Sequence, residues 1–597
     1  MANFDAQRKE PIRTQLTIIE MDLDFCAETY GVAPCVASIP ATGPDKCFNV
    51  RSKSAKANCQ DVANFNQTLK TYRFCTPTIR PPLNAIPSVL DVNISPTTIT
   101  PGDGLGKRGS VTITFQDHTW HDRGIDKYFA DRAFDIEKQG TYWGRFFARN
   151  TFYQNRELRV LEGFLTDPFE IGAFQIRTYQ IESMTAPDAA GIFKVVAKDI
   201  MKVASNKKAL IPKVTVGELQ TAINDTDATP TIELDDSTEY RDPAVTLLTE
   251  FVIIGDEIFS YSAISGNDLT TSGRALFNGA KESHDIDDTV QQCHNYTDVP
   301  FADALEEALV EFGNVLQTHI PKTDWEDELE TWLPDLDLTG IIVEPMGVLA
   351  LVDEWLRLFP LYIWADEIDV EIKLSAIQPP FAQDFPSLTK EGSVVQNSVK
   401  VTERVKDRIS NVVFHYNITD PTDDLEKKKN YTRTDNPIDV NAESVQEYDE
   451  RRTRTKHCRW LTAAQRGLVQ QMTSRELSRF RNNPKFIDFM IEVKDQDIWT
   501  GDTVLFQSNQ LQDADGLSPG IFIKILQAKT MKNGKIAMKA EDVRFEGRYF
   551  LVSPTAEFSA IDYPAASDED KARYGWVGDD TLINQGFGNG DAPYRLI

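Results

Sequence analysis

Two separate stretches of this chain, near 92–212 and 395–553, break into short runs whose apolar residues alternate with polar ones, and that period of two most limits the fold. In PGDGLGKRGSVTITFQD a glycine turn at Gly102, Gly104 and Gly106 leads into Val111, Ile113 and Phe115, set against Ser110, Thr112 and Thr114. ELRVLEGFL, FQIRTYQIESM and GIFKVVAKD continue the pattern, and YWGRFFARNTF is read as a further strand. The second stretch contributes SVKVTERV, RISNVVFHYNI, FIDFMIEV, DTVLFQ, GIFIKILQAKTM and KIAMKAEDVRF. Hairpins spaced like this build small barrels. At 597 residues the chain is also too long for one core.

The fold class expected is mainly β with α+β modules: two β-barrel-like domains, smaller inserted modules and a cysteine-rich N-terminal element. Residues 1–90 form that element, which reads as irregular and ends in the proline-rich TPTIRPPLNAIP. The first barrel-like domain covers 92–212. A small β module follows at 215–295, with VIIGDEIFSYSAIS turning at Gly255-Asp256. An α/β module spans 300–390. In it Phe301, Leu305, Leu309, Phe312, Leu316 and Ile320 predict an amphipathic helix, a second helix covers about 345–358, and LYIWADEIDVEIKL reads as two strands. The second barrel-like domain, 395–553, carries a helix near 460–482. Residues 554–597 lack periodicity but hold Phe558, Tyr563, Tyr574, Trp576, Phe587 and Tyr594, which suggests an extended C-terminal arm that orders against a partner. Two similar barrels in one chain suggest a component of a ring.

Charge excludes several functions. The balance of 63 basic and 91 acidic residues, −28 overall, repels phosphate, so sequence-specific nucleic-acid binding is not expected. The opening MANFDAQRKEPIRTQ has no signal-like apolar run and no stretch is apolar enough to span a membrane, which predicts folding in a cytoplasm. No phosphate-binding loop, nucleophile elbow or zinc-protease helix is present. Asp117, His118, His121 and Asp122 in QDHTWHD could ligate a metal, but the favoured reading is a polar loop after a strand. Glu326, Asp327 and Glu328, beside Trp325 and Trp332, read as a solvated helix face. The basic runs Lys427 to Lys429 and Arg451, Arg452, Arg454, Lys456 and Arg459 read as a charged loop and subunit contact. His457 and Cys458 are adjacent, and neighbours on a strand face opposite ways.

Four of the seven cysteines, Cys26, Cys35, Cys47 and Cys59, gather in one short segment with gaps of eight, eleven and eleven residues. A disulfide framework, a metal site and a dense small core are the three readings. Cys75 and Cys293 are reserve ligands.

In order, CxxxYGVxPCxA, KCFN and NCQD, then PGxGLGxRGSVTITFQDH, TYWGRFFARN, VVAKD and SGRALFNGAKESHDIDDTVQQC, resemble the tail-tip or baseplate hub proteins of long non-contractile-tailed, siphovirus-like phages and gene-transfer-agent-like particles. The likeness runs from about 20 to 550. It implies a structural virion protein, not an enzyme, forming a homotrimer whose three chains present six barrels to the tail. Its partners would be the distal tail protein ring, the tail tube and tape measure protein, and tail fibre or spike proteins. It would be assembled in the host cytoplasm, close the tube in the virion and open for DNA ejection. The resemblance also implies a [4Fe–4S] cluster on Cys26, Cys35, Cys47 and Cys59 in a structural role, although RSKSAKAN makes the last interval longer than in the pattern. Zinc or no metal is the alternative cofactor reading. The alternative function is a metal-dependent enzyme or a tail-associated cell-wall hydrolase.

Overall fold

The computed structural model describes residues 4–543, apart from 11–12, 38–45, 54–57, 133–134, 381–384, 390–391, 440–442, 444–446, 496 and 532–533. The fold is mainly β, with a helical layer in the middle of the chain. The arm at 554–597 lies outside the described residues.

The first sheet has strands β1 (Gln15–Cys26), β2 (Gln67–Cys75), β3 (Ile86–Pro87), β4 (Val89–Ser95), β5 (Ser110–Gln116), β6 (Glu157–Phe164), β7 (Gln175–Thr185) and β8 (Ile192–Lys198). Their order is β3-β2-β1-β6-β7-β8-β5-β4. Its two edges are one stretch of chain, because only Ser88 separates β3 from β4. β3 pairs parallel to β2 through Phe74 and Ile86, and β4 pairs antiparallel to β5 from Val89 onward. Ser88 completes the seam: its amide donates to the Cys75 carbonyl at 3.0 Å and its carbonyl accepts from Gln116 at 2.8 Å. The sheet therefore closes on itself at that end, and closure removes a sheet edge open to pairing.

Two local readings are corrected here. Residues 1–90 are not irregular throughout, since β1 and β2 are long barrel strands inside them. The signal was an alternation with acidic partners: Ile19, Met21 and Leu23 enter the core, while Glu20, Asp22 and Asp24 face outward. Those carboxylates meet arginines on the neighbouring strands, Arg73 at 2.6 Å and Arg159 at 2.9 Å for Glu20 and Arg159 at 2.7 Å for Asp22, while Asp24 takes Arg156, just before β6, at 2.6 Å. YWGRFFARN is a helix, Tyr142–Arg149, not a strand. Aromatic residues suit strands, but Tyr142, Trp143 and Phe146 share one helical face and plug the barrel. The Trp143 ring lies 4.3 Å from Phe115, 4.4 Å from Phe193 and 4.8 Å from Phe74, centroid to centroid.

The small β module is a five-stranded sheet built around the hairpin Glu250–Ile254 and Glu257–Ser265, which turns through Gly255-Asp256 with Gly255 at φ 59°. Arg274 and Glu257, bonded at 2.6 Å with His284 at 2.9 Å, are buried inside it. Next, the helices Phe301–Glu307, Lys322–Trp332 and Val348–Leu358 and the strand pair Leu361–Asp366 and Glu371–Ala376 form the largest core. The helix expected to run on to Ile320 widens to a π turn at Ala308–Phe312 and then breaks, with Asn314 at φ 57°.

The last stretch is divided. A six-stranded sheet takes Ser387–Thr389, Lys400–Glu403, Lys485–Glu492, Thr503–Gln507, Ile521–Thr530 and Lys535–Asp542 and wraps its own core. Between them, the three strands Asn411–Ile418, Tyr431–Asp435 and Thr453–Cys458 and the helix Arg466–Phe480 pack instead on the central helices, through Phe414, Tyr416, Cys458, Trp460 and Leu468.

Arg177 of β7 joins the two large sheets. Fully buried, it bonds Glu162 at 3.0 Å within the first barrel, Glu367 at 3.1 Å in the central strand pair and Thr530 at 3.1 Å in the second sheet, and stacks on Trp499. Phe4 stacks on Phe164 at the same junction, and both join the core of the second sheet. Burying this charge is tolerable only because each fork finds an acceptor.

Candidate metal centre

Cys26 ends β1, Cys35 and Cys59 sit in loops, and Cys47 begins a tight return; three of the four are buried and Cys35 is half-buried. Two residues stitch these loops together. The Cys26 amide donates to the Asn49 carbonyl at 2.7 Å, and the Asn49 side chain donates back to the Cys26 carbonyl at 3.0 Å. Asn49 holds a left-handed φ of 57°, which Asn tolerates better than most residues. Asp61 does the same for the other pair: its carboxylate accepts from the Val36 amide at 2.7 Å, and its carbonyl accepts from the Cys59 thiol at 3.2 Å. Gly31, at φ 68°, makes the turn between Cys26 and Cys35.

Two of the thiols, Cys47 and Cys59, are raised in pKa. Burial pushes the Cys47 thiol up, and charge on Cys59, Cys35 and Cys26 adds to the rise, opposed by a main-chain hydrogen bond at Asn49. Burial likewise raises Cys59, with Cys26 and Cys35 contributing, opposed by the main chain at Asp61. As placed, no three His, Cys, Asp or Glu side chains among the described residues are grouped to share one metal ion. The seven cysteines are all free thiols.

Cations surround the loops. The Arg132 guanidinium donates to the Cys47 carbonyl at 2.9 Å, and Lys127 donates to the Ala27 and Glu28 carbonyls at 3.2 and 3.0 Å. Phe48, next to Cys47, packs under two guanidiniums, those of Arg132 and Arg149, each 3.9 Å from the ring centroid. Arg149 also pairs at 2.7 Å with buried Asp122, which takes Arg145 at 3.1 Å. The element is thereby pinned to the barrel helix Tyr142–Arg149. Phe48, Asn49, Asp61 and Arg132 were not singled out from sequence; their positions next to, or two residues after, a cysteine were the available signal for the first three.

The other candidates fall elsewhere. Cys75 lies in the barrel wall opposite Ile18, and Cys293 packs in a separate apolar cluster with Ile341 and Val343. In QDHTWHD, Asp117 accepts from the Trp143 amide at 3.0 Å and so positions the helix, and His118 Nδ1 lies 3.1 Å from the Gln116 carbonyl at the end of β5. Glu328 accepts from the Ala376 amide at 2.7 Å, while Glu326 and Asp327 are exposed. The basic runs are drawn into ion pairs: Lys429 with Asp423 at 2.9 Å, Arg454 and Lys456 with Glu476 at 2.8 and 2.7 Å, and Arg459 with Glu354 at 2.8 Å. Cys458 is buried while His457 stacks on His415 at 4.9 Å, on the opposite face.

The chain is mainly β, built of several modules, with four cysteines in and after the end of the first strand of its first barrel. No family model matches the sequence, and no curated protein matches it. Solved structures do align. A 43 kDa tail protein of prophage MuSo2 from Shewanella oneidensis is 9% identical over 76% of this chain and 97% of its own, with a TM-score of 0.34. Prophage tail protein gp18 from Listeria monocytogenes EGD-e is 9% identical over 75% and 87%, at 0.33. A chain in the virion of a native gene transfer agent particle is 11% identical over 63% and 80%, at 0.27. Likeness at this level carries no argument about what the chain does. Among the described residues no helix is long and apolar enough to cross a membrane.

Proposed function

We propose that this chain is a structural hub at the tail tip of a long-tailed phage or gene-transfer-agent-like particle, where three copies close the tube, connect it to fibre or spike proteins and open for DNA passage. The observation that carries the reading is the Arg177 junction, which fixes two large curled sheets in one chain at a set relation. A ring that must match six subunits above with three chains below needs that arrangement. An acidic chain of net charge −28 suits a lumen along which DNA slides. Deleting the gene should leave particles without closed, fibre-bearing tips; normal tips would reject the reading. Muramidase or peptidase activity in the purified protein would favour the hydrolase alternative.

The same reading gives Cys26, Cys35, Cys47 and Cys59 a [4Fe–4S] cluster, which when bound would supply a covalent cross-link among loops poor in apolar residues. The chain's own part is to converge the thiols, through Asn49 and Asp61, and to set Arg132 and Lys127 nearby against the negative charge of four thiolates. Anaerobically purified protein should be brown and contain iron and acid-labile sulfide. Colourless protein with stoichiometric zinc, or with none of the four thiols free and no metal, would reject it.

A further inference from the structure

The small β module is strongly one-sided in charge. Residues 215–295 carry sixteen acidic side chains against Arg241, Arg274 and Lys281. Among the described residues only Glu250 and Glu257 of the sixteen stand in ion pairs, both inside the module. Along its edge Val214, Val216 and Glu218 are exposed and alternate with buried Thr215, Gly217 and Leu219. The Glu218 amide donates to the Asp235 carboxylate at 2.8 Å. Burial raises the Tyr240 pKa to about 12, and charge on Asp235 and Glu239 adds to the rise, so these acids share that edge. The same module exposes Val245, Leu247 and Leu248, at 79%, 85% and 62%. Leu247 holds a left-handed φ of 59°, which Asn takes more readily than Leu. An apolar side chain kept there in water marks a contact surface.

The opposite charge lies where β8 runs out of the first barrel. Residues 194–208 hold Lys194, Lys198, Lys202, Lys207 and Lys208 and a single acid, Asp199, which is buried. Lys198 pairs with Glu182 at 2.6 Å, and the other four lysines stand in no ion pair among the described residues. Burial lowers the Lys202 pKa and charge on Lys198 and Arg108 lowers it further, opposed by Glu182, so positive charge is crowded here. Lys202 donates to Asn155, in the loop where Phe152 is 49% exposed, which gives this lysine belt an apolar margin. A chain of net charge −28 repels its own copies in most orientations. An orientation that sets the belt of one copy against the module of the next escapes that repulsion, and neither surface is neutralised within its own chain. We infer that the small β module of one copy clasps the lysine belt of the next, head to tail, with Val245, Leu247 and Leu248 against the margin at Phe152. Two different surfaces meet in such a contact, so each pair of copies keeps a belt and a module free, and the series closes into a ring or runs on as a filament. The contact stands whether or not the chain is a tail hub; only closure at three copies rests on that reading.

Sedimentation of the purified full-length protein tests it. The wild-type chain should associate as its concentration rises at low salt and dissociate at about 500 mM salt. Lys207→Glu with Lys208→Glu, and separately Glu218→Lys with Glu239→Lys, should each weaken association by about tenfold or more. One chain carrying all four substitutions should regain it to within about threefold, because the two charges are exchanged together. Leu247→Asn, which suits the left-handed backbone, should weaken association several-fold at an unchanged unfolding midpoint. A wild-type protein that stays monomeric up to about 50 μM would overturn the inference. So would double variants that associate like wild type, a fourfold variant of native circular dichroism that does not recover, or an unchanged Leu247→Asn. The test uses the isolated protein, so its failure is distinct from failure of the tail-hub reading, which images of the assembled tail decide.

Discussion

Asp199 shows how one buried carboxyl records the join of two modules. Burial raises its pKa to about 7. Arg108 and the Gly109 and Met201 amides lower it, and nearby Glu367 raises it further. A carboxyl whose folded pKa lies above its unfolded value of 3.8 contributes stability that is complete below 3.8 and lost as pH rises through about 7. The wild-type protein should therefore unfold at lower denaturant at pH 8 than at pH 6. Asp199→Asn keeps the acceptor for Met201 and should remove most of that difference, on the order of a few kcal/mol at most. Denaturation midpoints across pH that run parallel for the two proteins would contradict this. Arg177→Met makes the opposite kind of change: it leaves Glu162 and Glu367 buried without their cation, and breaking a buried pair costs about 3–5 kcal/mol. Calorimetry should show that loss, and a change below about 1 kcal/mol would mean that water already reaches the junction.

At the scale of elements, the sequence showed most where one side of a strand meets water. β5, with Val111, Ile113 and Phe115 inward, and the hairpin at Gly255-Asp256 stand where the alternation put them. The failures have physical causes. In β1 the outward residues are acids whose charge is answered by Arg73, Arg156 and Arg159 far along the chain, so local pattern alone gave no reason to expect burial. In Tyr142–Arg149 the aromatic side chains that favour strands were selected to fill a barrel from within. The four cysteines were legible in the sequence, whereas the residues that tie their loops were not, because Asn49 and Asp61 bond to main-chain groups of other loops. Phe48 links the cluster to the helix, and Phe48→Ala should speed modification of Cys47 by a thiol reagent several-fold in the folded metal-free protein, leaving Cys293 unreactive. An unchanged rate at Cys47 would show that Arg132 alone holds the loop.

Across the whole molecule, the core boundaries do not coincide with stretches of sequence. The strands Asn411–Ile418 and Thr453–Cys458 lie inside the second barrel-like stretch and yet bury Phe414, Tyr416 and Cys458 against helices from the middle of the chain. Periodicity reports which face is buried and says nothing of what buries it. At this scale the acidity predicts weak contact with DNA: a gel-shift titration with duplex DNA at low ionic strength should show no retardation, and tight salt-dependent binding would exclude a lumen role. The central claim is that three copies form a ring at the tail tip, and the most direct measurement is a reconstruction of the assembled tail from the particle that carries this protein. It should show three copies around the tail axis, with each chain's two large curled sheets in a ring of six beneath the tube. Density for this chain away from the tip, or at the tip without three-fold order, would contradict it.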